Sequence, residues 1–239
     1  MKLRLKGREG RKINWQKKVK ENLRKREVLK RNWLLKRREK NMNKKLVLKL
    51  EEIGAIKFGA FTLKSGMISP IYIDLRLLVS YPDILKMVAK EMQKKCKGLE
   101  FDRIAGIPYA AMPIATALSM QIGKPMIYAR KEQKEYGTKK LIEGKYNEGE
   151  KILVVDDLVT SAKSKFEAIE PLLNEKLIVR DVLVLIDREQ GGRHQLKEKG
   201  YELHACLEIK KMLLFLKKAG KLEEGKYGEV MEFLKNNPG

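Results

Sequence analysis

The order of apolar and polar residues along the chain predicts strands and helices in alternation. Short, nearly unbroken apolar runs are typical of strands buried on both faces of a parallel sheet. Such runs occupy residues 103–107, 125–129, 152–155 and 177–186. The intervening segments predict helices over residues 81–97, 111–122 and 163–171. This order indicates an α/β fold with a central, mostly parallel sheet flanked by helices.

Further elements are predicted on both sides of this region. In residues 45–56, apolar positions recur at spacings of three and four, which predicts an amphipathic helix that ends near Gly54. Residues 58–76 alternate in polarity and contain Ser-Gly and Ser-Pro breaks, so two short strands joined by a turn are expected. Residues 201–206 predict a last strand, and residues 209–216 begin a C-terminal helical region.

The stretch from residue 151 to 167 carries the most informative chemistry. It reads Lys-Ile-Leu-Val-Val-Asp-Asp-Leu-Val-Thr-Ser-Ala-Lys-Ser-Lys-Phe-Glu. Asp156 and Asp157 follow a buried strand, and ligands of open α/β sheets bind at the carboxyl ends of strands. The hydroxyls of Thr160, Ser161 and Ser164 come at the predicted start of a helix, where they suit a phosphate. The pattern predicts a ligand that has a phosphate and either a diol or a metal ion.

The same residues also permit a purely structural interpretation. Asp156 and Asp157 then only end a strand, and Thr160 or Ser161 only caps a helix. From this stretch alone the two interpretations stand level.

Four segments resemble the orotate phosphoribosyltransferases, a family of type I phosphoribosyltransferases. The central stretch resembles their signature for phosphoribosyl pyrophosphate (PRPP), although Ala162 and Lys163 stand where family members commonly carry glycine. Phe-Gly-x-Phe-x-Leu-Lys-Ser-Gly-x-x-Ser-Pro-x-Tyr at 58–72 resembles the N-terminal hood of the family. Arg-Lys-Glu-x-Lys-x-x-Gly from residue 130 resembles the catalytic loop, and Asp-Arg-Glu-Gln-Gly-Gly at 187–192 resembles the orotate-binding turn. Agreement of separate motifs is more specific than any one motif.

The resemblance implies transfer of the 5-phosphoribosyl group from PRPP to orotate, giving orotidine 5′-monophosphate and pyrophosphate, in de novo pyrimidine (UMP) biosynthesis. The implied catalytic residues are Lys134, Asp156 and Asp157. The implied cofactor is Mg²⁺, bound through PRPP, with the two aspartates contributing directly or through water. The implied PRPP contacts are Lys64, Tyr109, Arg130, Lys131, Lys134, Asp156, Asp157, Leu158, Val159, Thr160, Ser161, Ala162, Lys163 and Ser164. The implied orotate contacts are Tyr72, Ile73, Thr160 and Arg188.

The loop over residues 130–144 also bears on assembly. It is basic and poor in apolar residues, which is the composition of a mobile surface loop or of an ordinary solvated face. In the family this loop closes over the active site of the partner subunit, so the resemblance implies a homodimer with shared active sites. Tyr136 stands where many relatives have His, and the Lys-x-Tyr-Gly-Thr-Lys form is closest to the phosphoribosyltransferase domain of UMP synthases.

Three of the implied site residues have simpler interpretations when they are taken singly. Lys64 fits an exposed lysine next to a turn, and Tyr72 fits a core aromatic on a strand. Arg188 could form an ion pair with a nearby acid instead of binding a substrate carboxylate.

The net charge of +22 is concentrated at the N-terminus. Residues 1–41 hold 18 Lys or Arg against 4 Glu and no Asp, and so account for 14 of the 22 net charges. This extension could be a basic helix that binds RNA or a membrane surface, a solvated helix, a disordered tail, or an over-called reading frame. We therefore expect an extension over 1–41 and a phosphoribosyltransferase domain over 42–239.

Composition excludes several other classes. No apolar run approaches a membrane span, and no signal peptide is recognisable at the N-terminus. With two cysteines, two histidines and no zinc spacing, a cytoplasmic location is expected. Residues 217–239 are too short for a decarboxylase domain, so no fused second enzyme is expected.

Two rival functions remain open: a phosphoribosyltransferase for another base, and an RNA-binding regulator that uses the basic extension. Lys131 and Lys134 argue against a pure regulator, because they have no obvious use without pyrophosphate chemistry.

Overall fold

The computed structural model describes residues 42–63, 66–130 and 141–238. The predictions made for the extension over 1–41 and for Lys64, Lys131, Lys134 and Tyr136 lie outside the described residues. Within the described ranges, no helix is both long and apolar enough to cross a membrane.

The described chain begins with a helix and a two-stranded hairpin, as predicted. Helix α1 (Lys44–Glu52) begins where Asn43 Oδ1 accepts the N–H of Leu46 at 3.0 Å. It ends just before Gly54, whose φ of +71° suits a residue without a side chain. Strand β1 (Ile56–Thr62) pairs antiparallel with β2 (Ile68–Ile73), and a 3₁₀ turn over Leu75–Ser80 follows.

The central sheet of the described residues is mostly parallel, as predicted. Its strands are β3 (Arg103–Gly106), β4 (Met126–Ala129), β5 (Ile142–Glu143), β6 (Lys151–Val159), β7 (Ile178–Asp187) and β8 (Glu202–Glu208). They lie in the order β5-β4-β3-β6-β7-β8, with the β4–β5 pair antiparallel and the others parallel. The chain leaves β3 outward to β4 and returns to β6 on the other side. The carboxyl ends of β3 and β6 therefore form the switch point where open α/β sheets bind ligands.

Helices cover both faces of this sheet. They are α2 (Pro82–Cys96), α3 (Ala111–Ile122), α4 (Lys163–Asn174), α5 (Gly192–Glu198), α6 (Ile209–Lys218) and α7 (Glu224–Asn236). In β6, both Leu153 and Val154 are buried although they point to opposite faces. Burial on both faces explains why the strands appear in the sequence as unbroken apolar runs. Helix α7 packs against β2 and so joins the hairpin to the C-terminal part of the chain.

Strand β6 is longer than predicted, and the two acids lie inside it rather than after its end. The prediction was wrong here because β7 continues to Asp187 and keeps pairing with β6 as far as Val159. On the other side, pairing with β3 ends at Val155. From Asp156 onward, β6 therefore has a strand partner on one side only, and the open side faces the end of β3.

Two smaller boundaries also differ from the predictions. Helix α4 continues through Pro171 to Asn174, since the next residue, Leu172, is buried in the core and a proline removes only one intrahelical hydrogen bond. The two-residue strand β5 lies within the segment that was predicted to be loop. Its pairing, Tyr128 with Glu143 and Ala129 with Ile142, could not be seen in so short a pattern.

Candidate active site

The ends of three neighbouring parallel strands bring most of the described candidate residues to one edge of the sheet. The turn with Tyr109 follows β3, the acids and the loop over 160–162 belong to β6 and its end, and Arg188 follows β7. Because β3, β6 and β7 are adjacent and parallel, these segments lie side by side.

The two acids differ in their surroundings. Asp156 is only 6% exposed, and its Oδ1 accepts the N–H of Asp157 at 2.9 Å. Asp157 is half-buried, and its Oδ1 accepts the N–H of Leu158 at 2.8 Å. Burial, and then the neighbouring charge of Asp156, raise the pKa of Asp157 to about 7.

A buried lysine that the sequence analysis did not single out completes this group. Lys165 is 3% exposed, and its Nζ lies 2.7 Å from Asp156 Oδ2. The same ammonium donates to the carbonyl of Leu158 at 2.6 Å and to the Ser164 hydroxyl at 3.3 Å. The sequence contains an indication of this burial, because Lys165, Ile169 and Leu172 are spaced as one helical face. All three are buried in the structure.

The loop between β6 and α4 leaves its hydroxyls free of the capping role. The helix N-cap is Ala162, with no side-chain capping bond. This contradicts the alternative in which Thr160 or Ser161 caps the helix. Thr160 and Ser161 are half-buried and Ser164 is exposed, so a phosphate could reach all three hydroxyls.

The departures from glycine in this loop fit the backbone that the structure adopts. Ala162 has φ −87° and ψ −1°, a conformation open to any residue, and its methyl group is fully buried. Lys163 is exposed on the first helical turn. Leu158 is half-buried and Val159 is fully buried, so Val159 can offer a ligand only its backbone.

Two residues that follow Arg188 form hydrogen bonds to the loop between β6 and α4. The N–H of Gly192 donates to the carbonyl of Thr160 at 3.0 Å, and the N–H of Ala162 donates to Gln195 Oε1 at 2.7 Å. A Cβ atom on Gly192 would lie 2.5 Å from Val159 Cγ2 and 2.9 Å from the Thr160 carbonyl. No local pattern indicates these contacts, which join residues about 30 positions apart.

Arg188 lies at the end of β7 with part of its guanidinium unsatisfied. Its Nε and Nη2 atoms are buried and have no hydrogen-bond partner among the described residues. The acids on either side are bonded elsewhere: Asp187 to Arg193 at 3.1 Å, and Glu189 to the N–H of Lys210 at 2.9 Å. Burial lowers the pKa of Arg188 below its usual value. In the described part of the chain, the alternative of an ion pair for Arg188 is not found.

The turn after β3 and the start of the predicted loop border a cavity of about 620 Å³. Tyr109 follows Pro108 through a cis peptide bond and is 69% exposed. Arg130 Nη1 donates to Glu143 across the β4–β5 pair at 3.3 Å. The residues that line the cavity include Pro108, Arg130 and Ser164. The structure therefore brings Arg130 and the start of α4 to the same cavity, although they follow different strands.

The predicted orotate contacts of the hood lie on β2. Tyr72 is half-buried and stacks on Phe61 with ring centroids 5.5 Å apart, and its hydroxyl accepts from Arg76 at 3.0 Å. Ile73 is half-buried as the last residue of the strand. Helix α7 packs on this strand, and Gln190 donates to the carbonyl of Asn237 just after that helix. Helix α7 thus joins the hairpin to the turn that carries Arg188.

Comparisons with known proteins support the family resemblance. The model of the phosphoribosyl transferase domain matches residues 79–211. An orotate phosphoribosyltransferase from Caenorhabditis elegans is 41% identical over 77% of this chain and 82% of its own length. The bovine uridine 5′-monophosphate synthase is 42% identical over 80% of this chain, and the match covers 40% of that protein.

A solved structure shows the same relation. The UMP synthase of Leishmania donovani superposes with a TM-score of 0.75 and 41% identity over 81% of this chain and 42% of that one. The chain thus spans about two fifths of the length of these two synthases. The fold and the sheet-edge site define a type I phosphoribosyltransferase. Within that class, the chain belongs to the orotate phosphoribosyltransferase family.

Proposed function

We propose that this protein transfers the 5-phosphoribosyl group of PRPP to orotate and releases orotidine 5′-monophosphate and pyrophosphate, as a step of pyrimidine biosynthesis. The observation that carries the choice of acceptor is Arg188. Two of its buried nitrogens have no partner among the described residues, and the adjacent acids are bonded elsewhere. An open guanidinium fork fits a planar carboxylate, and orotate carries one on its ring.

The donor PRPP is proposed to bind along the segment over residues 158–164, which comprises the end of β6, the loop over 160–162 and the start of α4. The hydroxyls of Thr160, Ser161 and Ser164, with the N–H groups at the start of α4, suit its 5′-phosphate. Asp156 and Asp157 suit the ribose hydroxyls, which can donate to carboxylate oxygens. Tyr109 and Arg130, at the ends of β3 and β4, lie on the side where the pyrophosphate would extend.

The carboxylates at this edge also fit Mg²⁺ held jointly by protein and PRPP. In the described part of the chain, no group of three or more His, Cys, Asp or Glu could hold a metal ion alone. Mg²⁺ is commonly bound through one or two carboxylates together with substrate phosphates. Asp156 and Asp157 would provide those carboxylates, directly or through water. When bound, Mg²⁺ neutralises part of the charge that develops on the pyrophosphate.

The reaction replaces the bond from ribose C1 to the pyrophosphate oxygen with a bond from C1 to N1 of orotate. As the old bond lengthens, positive charge grows on the ribose and negative charge on the pyrophosphate. Arg130, Lys131 and Lys134 are proposed to stabilise the leaving pyrophosphate. Lys134 is proposed to be the most rate-sensitive of them, and a Lys134→Ala variant with near-wild-type turnover would remove it from the mechanism.

We further propose that the protein acts as a homodimer in which each loop over 130–144 serves the site of the partner subunit. Mixing a Lys134→Ala variant with an Arg188→Ala variant tests this arrangement. Activity of the mixture well above that of either variant is expected, because one hybrid site then keeps both residues. An inactive mixture, with subunit exchange verified by size and mass, would assign each loop to its own subunit.

A cytoplasmic location is also proposed. Cys96 and Cys206 are free thiols in the structure, which fits a reducing compartment. Imaging of a tagged full-length chain would test it. RNA binding by residues 1–41 stays a prediction, to be tested by comparing the RNA affinity of the full chain with that of a chain that starts at Met42.

The decisive assay offers PRPP and Mg²⁺ with orotate, uracil, hypoxanthine or adenine in parallel. Uracil is the matched control, because it has the orotate ring without the carboxylate. We expect transfer to orotate at a rate at least 100-fold above that to uracil, since charged hydrogen bonds to two buried nitrogens are worth about 3 kcal/mol or more. Equal use of uracil would remove the argument from Arg188, and transfer only to a purine would assign another base.

A further inference from the structure

The proposed function assigns no role to Lys165 or to its contact with Asp156. Lys165 lies on the first turn of α4, and its ammonium is enclosed by Asp156 Oδ2, the carbonyl of Leu158 and the Ser164 hydroxyl. Asp156 supplies the opposite charge, and the Leu158 carbonyl and the Ser164 hydroxyl accept hydrogen bonds from the ammonium. The charge of Lys165 is therefore paired and hydrogen-bonded inside the protein.

Such a pair has a definite energetic character. A lysine and an aspartate that are 3% and 6% exposed have both lost most of their water. Desolvated charges are tolerated when they are paired and their remaining donors and acceptors are bonded. Asp156 meets this condition as well, because its Oδ1 accepts the N–H of Asp157 at 2.9 Å and its Oδ2 faces Lys165. The carboxylate of Asp156 is thus held at both oxygens.

The pair also closes the segment that carries the predicted phosphate hydroxyls. Asp156 lies within β6 and Lys165 within α4, so their contact joins the two ends of the loop that includes Thr160 and Ser161. The bond from Lys165 to the carbonyl of Leu158 fixes the last part of the strand at the point where it has lost its β3 partner. A loop whose ends are fixed in this way needs less ordering when it binds a ligand.

We infer that Lys165 is a positioning residue that acts through Asp156. It holds the acid pair and the segment over 158–164 in the arrangement that binds the ribose 5-phosphate part of PRPP. This inference rests on the proposed function for the identity of the ligand. It assigns Lys165 no contact with PRPP, and it does not depend on which base accepts the sugar.

The first test is calorimetric titration of the full-length protein with PRPP and Mg²⁺ in the absence of any base. Lys165→Met keeps the length of the side chain and removes its charge. We expect the dissociation constant for PRPP to rise at least tenfold in this variant. The matched control is Lys176→Met, which removes a lysine just after the same helix from an exposed ion pair with Glu148 and should leave the constant within twofold.

A mutant cycle with Asp156→Asn separates positioning from a direct role. If Lys165 acts through Asp156, the losses of PRPP affinity in the two single variants are not additive. The dissociation constant of the double variant is then at most about threefold above that of the single variant that binds PRPP more weakly. Losses that multiply in the double variant would overturn the inference. The double variant also carries no unpaired buried charge, so it remains informative if Lys165→Met alone does not fold.

The remaining outcomes distinguish this inference from the proposed function. Equal PRPP affinity in wild type and a folded Lys165→Met variant would overturn the inference and leave the proposed function intact. Strong PRPP binding without transfer to orotate would overturn the proposed acceptor and leave the inference intact. A wild-type protein that does not bind PRPP at all would overturn both.

Discussion

Two cations with buried nitrogen atoms lie at the same edge of the sheet, and only one of them is hydrogen-bonded within the described part of the chain. The ammonium of Lys165 forms an ion pair with the carboxylate of Asp156 and donates hydrogen bonds to the Leu158 carbonyl and the Ser164 hydroxyl. The guanidinium of Arg188 has two buried nitrogens without a partner in the described part of the chain. Because burial of an unpaired charge is costly, the difference supports the proposal that Arg188 binds a ligand, whereas Lys165 serves the fold of the site.

The comparison predicts its largest effect on stability at Lys165. Lys165→Met should lower the free energy of unfolding by about 3–5 kcal/mol near pH 8, since it leaves Asp156 charged, buried and unpaired. Lys176→Met should cost at most about 1 kcal/mol, because its ion pair with Glu148 is exposed. Urea denaturation measures both values. A loss at Lys165 no greater than that at Lys176 would remove the distinction between the two cations.

Arg188 should show the opposite behaviour. Arg188→Met is expected to weaken orotate binding by about 3 kcal/mol, or roughly 100-fold in the Michaelis constant for orotate, because both hydrogen bonds to the carboxylate are lost. The free energy of unfolding should stay the same or rise, because the variant removes a cation whose buried nitrogens lack partners. The matched control is Arg180→Met, which removes an exposed arginine from the same strand. A destabilised variant with unchanged orotate kinetics would place Arg188 in the fold rather than in the site.

The sequence allowed the position of one of these two cations to be predicted, but not the pairing of the other. Arg188 was predictable because it directly follows a long apolar run, and the end of a buried parallel strand faces the ligand edge whatever the rest of the chain does. The positions of Asp156, Asp157 and Thr160 at this edge were predictable for the same reason. The pairing of Lys165 was not predicted, because a lysine in a helix is normally exposed and its carboxylate partner lies nine positions earlier on another element.

The features that were missed in the fold have a similar cause. The length of β6 depends on β7, which continues pairing as far as Asp187, and no local pattern records the length of a partner strand. Strand β5 has two residues, too few for a period. The contact of Gly192 with the loop over 160–162 is long-range, and a glycine beside another glycine suggests only a turn.

Gly192 offers a test of whether the loop over 160–162 can be disturbed without disturbing Arg188. Gly192→Ala would bring a methyl group to within 2.5 Å of Val159 Cγ2, so the loop or α5 must shift. We expect a loss of about 1–3 kcal/mol in stability and a higher Michaelis constant for PRPP. The control is Gly228→Ala in α7, where a new Cβ meets nothing within 4 Å. A change confined to the constant for orotate would show that Gly192 supports Arg188 and not the phosphate loop.

The last prediction sharpens the comparison within the acid pair and concerns Asp157. Asp156 has Lys165 as its partner, whereas burial and the charge of Asp156 raise the pKa of Asp157 from 3.8 to about 7. Between these two values the folded protein keeps a proton that the unfolded chain has released. The contribution of Asp157 to stability is therefore full below about pH 4 and is lost as the pH rises to about 7, by up to about 1.4 kcal/mol per pH unit.

Asp157→Asn should remove this slope, together with the charge that Asp157 places beside Asp156. The measurement is the free energy of unfolding of wild type and variant at pH 5, 6, 7 and 8, and the two proteins differ by one carboxyl group. We expect the variant to gain stability relative to wild type as the pH rises to about 7, and the difference to level off above it. A difference that is constant over the whole range would mean that Asp157 does not titrate between pH 5 and 8, which would contradict its raised pKa.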